Sequence, residues 1–341
     1  MRSAITKLQP TKILSSIWSQ NLRKFSSVLT ERLSDETKQR FINLVEGVSN
    51  DPYSDYLSAQ KKAGTILSEI LPSQTKEILQ DFGRRGRSII LLQNCPVTGK
   101  GKLPPTPISS KRSETKDFVS EYMMCGIADL IPTTPYLIEG VRDGNVINQI
   151  IPTDPYSISG SSSRVAFDLH NEVVHERRVP DFFMLFCLRG NPFAKTNFCF
   201  LEDIIKFLPP QILEELQQPN FLMKSGDKKI FKETKEFRCP ILTRDDEGNF
   251  QIRLNIQPNR CEGLTDNSRI ALDYVKQCLR QQVPIHGISL RQGDALLVNN
   301  TTTLHSRTEF DEKYRGDLDD GARWVQRMNL NDVRDDSRKT R

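Results

Sequence analysis

The sequence has no apolar run approaching the roughly 18 residues that a membrane-spanning helix needs. Its seven cysteines, at 95, 125, 187, 199, 239, 261 and 278, include no Cys-x-x-Cys pair. An odd number of scattered thiols argues against both a disulfide framework and a zinc ribbon and suits a reducing compartment, so a cytoplasmic location is expected. Charge of one sign is never concentrated: 48 basic and 43 acidic residues are spread over 341 positions for a net +5. Without a basic block or an aromatic-basic repeat, nucleic acid is a poor partner and a small molecule a better one. No internal repeat is present. Histidine is scarce, with four residues in the chain.

What is present is enough apolar residue, 37%, for a sizeable core. Residues 1–30 carry five basic residues and no acid. That composition superficially matches an organellar presequence; the plainer reading is an N-terminal extension lying on the body of the protein. Helices are expected over 34–48, after the start signals Ser34 to Thr37, then over 57–71, 74–83 and about 113–128. Ser88 to Gln93 reads as a buried strand at an edge of the sheet. Residues 97–112 read as a long exposed loop, and the Ser/Gly stretch 157–163 as a candidate lid. From about 145 to 330 short strands dominate, interrupted by helical text at 201–217, broken at Pro209-Pro210, and at 266–281. The natural core is an antiparallel sandwich or jelly roll, with a single domain over 31–330, helical additions over 31–128 and a tail at 331–341.

The centre of interest is 164–172, Arg-Val-Ala-Phe-Asp-Leu-His-Asn-Glu. Read as one strand, it turns Ala166, Asp168, His170 and Glu172 to the same side. An imidazole and a carboxylate two residues apart supply two thirds of the facial triad that holds non-haem Fe(II). The surrounding text, Leu169-His-Asn-Glu-Val-Val-His-Glu-Arg-Arg-Val-Pro-Asp followed by Leu185-Phe-Cys-Leu-Arg, resembles the clavaminate synthase-like Fe(II)/2-oxoglutarate oxygenases, in particular those that hydroxylate free L-arginine or L-asparagine. Val179 between Arg178 and Pro180 is a small departure.

The resemblance implies a double-stranded β-helix core of the jelly-roll, cupin-like kind. Its cofactor would be Fe(II), used with 2-oxoglutarate and O2, and the chemistry hydroxylation of an unactivated C–H with release of succinate and CO2. The third metal ligand would be His305, 135 residues after His170, in Leu304-His-Ser-Arg-Thr. Arg323, in Gly321-Ala-Arg-Trp-Val-Gln-Arg, would take the far carboxylate of 2-oxoglutarate, because a planar guanidinium grips a carboxylate in two places. Arg327 would take the α-carboxylate of the substrate; the order of the two arginines is open at this point. Thr196 stands where the family places a hydroxyl donor to the cosubstrate. Gln149, in the strand preceding the Ser/Gly loop, is a candidate substrate contact. The distance from His305 to Arg323 exceeds the family pattern, which implies an enlarged loop around Leu318 to Asp320.

Arginine hydroxylases of the family hold the guanidinium with Arg-x-Asp-x-Asp. Here the text is Arg253-Leu254-Asn255-Ile256-Gln257, in which both acids are amides. A buried cation would lose its charge partners, so a neutral or polar L-amino acid, or a modified one, is expected over arginine. His175 reads as a supporting or structural residue and His286 as a strand-edge residue. Competing readings are an oxygenase on a peptide- or carrier-bound residue, a catalytically silent β-helix binding protein, and a zinc hydrolase on the same ligands.

Overall fold

Phe182–Arg189 is apolar at almost every position because both faces of this strand are covered. Phe182, Met184, Phe186 and Leu188 join one core with helices Tyr56–Ile70 and Val119–Leu130, while Phe183, Leu185 and Cys187 join another with Phe198 and Phe200. The computed structural model in which this is seen describes residues 28–48, 50–83, 88–107, 117–137, 144–153, 156, 162–226, 235–311 and 322–334. A seven-stranded sheet is built from β1 (Val28–Arg32), β2 (Ile89–Gln93), β3 (Thr133–Pro135), β4 (Ile147–Ile150), β6 (Phe182–Arg189), β14 (Ala295–Asn299) and β16 (Trp324–Asp332). Opposite it lies a four-stranded sheet ordered β13 (His286–Ser289), β7 (Lys195–Phe200), β15 (Thr303–Arg307), β5 (Phe167–His170).

The two sheets enclose the second core, which is a jelly-roll sandwich. The outer face of the smaller sheet, through Leu169, Cys199 and Leu304, packs on a third layer. That layer holds helix Asp266–Gln281, the three strands β8 (Phe221–Lys224), β9 (Glu236–Cys239) and β12 (Cys261–Gly263), and the hairpin β10 (Leu242–Arg244) and β11 (Phe250–Ile252).

Local chemistry sets the boundaries. Ser34 accepts from the Thr37 N–H at 3.0 Å and starts helix Asp35–Glu46. Thr265 and Ser268 exchange side-chain bonds to each other's N–H and start helix Asp266–Gln281. Pro210 stands in the first turn of Pro210–Leu216, which separates it from Leu201–Ile205.

Two expectations need correction. Val28–Arg32 already belongs to the sheet, paired parallel with β2 from Val28↔Ile89 to Arg32↔Gln93, so the extension is shorter than expected and β2 is an inner strand. A parallel partner some sixty residues away leaves no local signal. The helix expected from about 113 begins at Val119. The presequence-like residues 1–27, most of the Ser/Gly loop, the Leu318–Asp320 region and the end of the tail lie outside the described residues. No helix among the described residues is long and apolar enough to cross a membrane.

Candidate active site

Strands β5 and β15 are neighbours, and His170 and His305 are direct register partners across them. Pairing the two strands therefore brings together residues remote in sequence, with ring centroids 4.1 Å apart. Phe167 lies edge-on to His170 at 4.3 Å and Phe183 lies against His305 at 4.4 Å, so apolar faces wall the imidazoles.

Glu172 arrives differently from the expectation. The strand ends at His170, and Glu172 stands in the turn that follows. Asn171 terminates the ladder: its side chain accepts from the Leu254 N–H at 2.8 Å and donates to the carbonyls of Asn300 and Thr303. Asn300 then holds the next residue, accepting from the Glu172 N–H at 2.8 Å and donating to the carbonyls of Glu172 and Pro180 at 3.3 and 2.9 Å. The chain reverses at Val173, whose φ of +60° is a left-handed conformation that β-branched residues rarely adopt.

His170, Glu172 and His305 are all buried, and each offers a ligand atom within 4.8 Å of the others. His170 Nδ1 lies 2.7 Å from the carbonyl of Asp168, so the proton sits there and Nε2 keeps a free lone pair. Its pKa is pushed down to about 3, by burial first and then by His305, against the pull of Glu172. Burial alone would raise the Glu172 carboxyl; the Arg327 charge and the bond and charge of His305 outweigh it and hold the group well below the usual carboxylate range. His305 Nε2 and Glu172 Oε1 are 3.4 Å apart, at the far limit of a hydrogen bond. Two imidazoles and one carboxylate, their ligand atoms converging, are the donor set that divalent iron takes.

Arg327 donates through Nη1 to both Glu172 oxygens at 2.7 Å. Arg323 is also buried, with its guanidinium 5.7 Å from the centre of the Phe310 ring and close enough to Cys187 to act on its thiol. Thr196 is buried two residues from Phe198, the register partner of His305, and so shares that face of β7. Asn255 forms an isolated bridge with His170, and Leu254 and Ile256 on either side of it join the core behind; Gln257 follows in a bend, its N–H donating to the Asn255 side chain at 3.0 Å.

Gln149 does not reach this space. It donates to the Tyr53 hydroxyl and accepts from Trp324 Nε1, each at 2.6 Å, on the helical face of the large sheet. The residue on the other face is Asn148, register partner of Arg327, whose buried Oδ1 has no partner. Ile147 and Ile150 put an apolar residue on each face of β4, so its alternation does not say which of Asn148 and Gln149 stands beside Arg327. His175 lies in the turn after Glu172, 3.9 Å from Glu176, outside the ligand cluster. Its pKa is pushed down to about 4, chiefly by burial. His286 stands exposed on edge strand β13, stacked on Phe198.

Near the three ligands several buried polar atoms have no protein partner among the described residues: Asn148 Oδ1, Arg327 Nε, Asn329 Oδ1, Thr303 Oγ1 and both amide atoms of Gln257. Buried polar groups are normally satisfied, so these atoms make a lining suited to water or to a polar ligand.

Comparison with known proteins agrees. Residues 132–329, more than half of the chain, match the model of the taurine catabolism dioxygenase TauD, TfdA family. The chain belongs to this family. Its members are dioxygenases that use Fe(II), 2-oxoglutarate and O2. The chain is 27% identical to an L-asparagine oxygenase of Streptomyces coelicolor over 80% of its own length and 79% of that protein's. It is 24% identical to an L-lysine 3-hydroxylase of Catenulispora acidiphila over 72% and 69%. Among solved structures, an asparagine oxygenase in complex with Fe(II), (2S,3S)-3-hydroxyasparagine and succinate superposes with a TM-score of 0.75 at 20% identity, covering 89% of this chain and 93% of that one. The non-heme iron oxygenase OrfP in complex with Fe and alpha-ketoglutaric acid superposes with a TM-score of 0.74 at 17% identity, covering 92% and 97%.

Proposed function

We propose that the chain hydroxylates an unactivated C–H bond of a free L-amino acid or close derivative, coupled to conversion of 2-oxoglutarate to succinate and CO2. The observation that carries this is the buried cluster of His170, Glu172 and His305 within 4.8 Å, with buried polar atoms near it that have no partner among the described residues. Relatives named for asparagine and lysine support an amino acid as the substrate class.

His170, Glu172 and His305 would hold the iron. Bound Fe(II), with 2-oxoglutarate and O2, supplies an oxidant able to abstract hydrogen from carbon. The rest is the work of the chain. The Asp168 carbonyl fixes the His170 tautomer, and Arg327 keeps Glu172 ionised although it is buried. Arg323, with Thr196, would take the far carboxylate of 2-oxoglutarate. Arg327, whose Nε is unpartnered, would take the substrate α-carboxylate, and Asn148 Oδ1 beside it would accept from the α-ammonium. Phe167 and Phe183 exclude water from the reacting centre.

The test is an anaerobic titration with Fe(II) and then 2-oxoglutarate, watching for the weak visible charge-transfer band of the chelate, with His170→Ala as control. A band in the wild type that the variant lacks supports the assignment. Its absence from a folded, iron-loaded wild type refutes it. Succinate release with a panel of L-amino acids then scores the substrate.

A further inference from the structure

We infer that Arg189 and Thr106 form a latch that positions Arg323 for the far carboxylate of 2-oxoglutarate. The inference rests on the oxygenase reading of the site and on the role proposed there for Arg323.

Arg323 needs a holder because the sheet does not supply one. Strand β16 begins at Trp324, so Arg323 stands just outside it. The ladder with β4 starts one residue further in, at Val325↔Ile150. The ladder with β6 reaches Trp324↔Arg189, but its register shifts between Trp324 and Val325, where the partner jumps from Arg189 to Cys187. An extra residue in one strand bends and twists the local ladder. Arg323 therefore stands at the least regular end of β16, whereas Arg327 lies in a doubly paired stretch, opposite Asn148 on one side and Leu185 on the other.

The holder comes from far away in sequence. The Thr106 hydroxyl donates to the carbonyl of Ala322, the residue next to Arg323, at 3.0 Å and across 216 positions. Arg189 sets the direction of that bond. It donates through Nη1 to the Thr106 oxygen at 2.5 Å and through Nη2 to the Pro104 carbonyl at 3.0 Å. A guanidinium only donates, so the hydroxyl oxygen accepts from it and turns its one proton to the Ala322 carbonyl. The same guanidinium lies 5.9 Å from the centre of the Trp324 ring. Arg189, the last residue of β6, thus meets the start of β16 directly at Trp324 and through Thr106 at Ala322. It also closes the motif Leu185-Phe-Cys-Leu-Arg, to which the ligand cluster and the two carboxylate-binding arginines give no role.

Position matters here because 2-oxoglutarate is a ruler. Two methylene groups separate its keto-acid end from its far carboxylate, so Arg323 must stand at a set distance from the ligand cluster, and a guanidinium that drifts loses its two-point grip. A loosened latch should cost affinity for 2-oxoglutarate and discrimination against a 2-oxo diacid one methylene longer. Arg327, held by both ladders, should be spared.

Thr106→Val tests this on the full chain. Valine keeps the shape and removes the hydroxyl, and position 106 is partly exposed, so water can take up the freed groups. 2-Oxoglutarate and 2-oxoadipate are titrated anaerobically into Fe(II)-loaded wild type, Thr106→Val, Thr106→Ser, Arg189→Met and the double variant. The readouts are the charge-transfer band of the chelate and the rise in thermal unfolding midpoint. Thr106→Val should weaken 2-oxoglutarate roughly 3–10-fold, the worth of one hydrogen bond, with Fe(II) affinity and the amino-acid KM within about twofold of wild type. Its preference for 2-oxoglutarate over 2-oxoadipate should shrink, and Thr106→Ser should restore both quantities. Arg189→Met should reproduce the loss, and the double variant should be no worse than Arg189→Met alone, because two parts of one device do not add.

Unchanged 2-oxoglutarate affinity in Thr106→Val overturns the latch. So does a loss shared equally by 2-oxoglutarate, the amino acid and Fe(II), which marks a structural role alone, and so does full additivity in the double variant. Wild-type affinity in Arg323→Met would remove the group the latch positions and overturn it while leaving the hydroxylase reading intact. If folded, iron-loaded wild type gives no band with 2-oxoglutarate, the parent reading fails and the latch falls with it. The Thr106 pair decides the matter even if Arg189→Met does not fold.

Discussion

Asn300 should set the position of Glu172, and replacing it with alanine tests whether the turn is a positioning device. Its side chain makes three bonds in a fully buried setting, to the N–H and carbonyl of Glu172 and to the carbonyl of Pro180. Asn300→Ala removes all three and leaves at least one buried N–H, that of Glu172, unsatisfied. The expected loss of stability is about 2–4 kcal/mol, from one orphaned donor and two weakened acceptors. Loss of a residue that orients a metal ligand lowers metal affinity roughly 10–100-fold. Asn300→Asp keeps the acceptor for the Glu172 N–H but turns the donor into an acceptor facing two carbonyls, so it should fall nearer alanine than wild type. Urea unfolding without metal gives the first quantity, and anaerobic Fe(II) titration gives the second. An Asn300→Ala protein that unfolds earlier but binds Fe(II) with wild-type affinity would refute the positioning role and leave Asn300 as a structural residue alone.

Other consequences are as specific. Arg327→Met should cost about 3 kcal/mol, because Glu172 is left as a buried charge without its cation; added Fe(II), supplying positive charge, should restore much of that in thermal unfolding. Burial raises the Glu202 carboxyl to about 7, and its Oε2 has no partner. A folded-state value above the unfolded one means its stabilising contribution is complete below about pH 4.5 and lost as pH rises through 7. Glu202→Gln should therefore be the more stable protein at pH 8, by about 1–2 kcal/mol after allowing for its partial exposure, and match wild type at about pH 3.5. At Gly126 a Cβ would sit 2.9 Å from the Ala63 carbonyl oxygen and 2.6 Å from Leu67, so Gly126→Ala should push the two long helices apart and lower stability by about 1–3 kcal/mol, seen as a fall in the urea midpoint.

The three residues that cluster were legible because His170, Glu172 and His305 sit in distinctive local text, and the jelly-roll class because short strands and turns recur from β4 onward. What local text does not carry is pairing. The register His170↔His305 and the parallel partner of Val28–Arg32 are contacts between segments far apart, specified by which apolar faces must be buried together. Glu172 lies in the cluster with His170 and His305, but the reason given by alternation is incomplete. Strand alternation places it beside His170, but the structure places it there through a turn in which Asn171 and Asn300 substitute side-chain amides for ladder bonds. Gln149 shows the opposite failure. In a strand with an apolar residue on each face, one residue of slip exchanges the Arg327 side for the helical side, so that Asn148 rather than Gln149 stands beside Arg327.

Arg327 ties these pieces into one device. Nη1 spans both Glu172 oxygens, while Nε has no partner among the described residues, so the guanidinium keeps a donor in reserve. A carboxylate with two oxygens can share itself between a metal and a guanidinium, and a guanidinium with five donors can share itself between two carboxylates. Drawing Arg327 toward a substrate α-carboxylate weakens its hold on Glu172 and frees carboxylate lone pairs for the metal. The two binding events are then linked through one side chain, and linkage is reciprocal. Fe(II) should bind several-fold more tightly in the presence of the amino acid than in its absence, and the amino acid more tightly in the presence of Fe(II). The primary amide of the same amino acid, which lacks the α-carboxylate charge, should leave Fe(II) affinity unchanged. Equal Fe(II) affinity with and without the true substrate would show that Arg327 serves Glu172 alone, and that the α-carboxylate is held elsewhere.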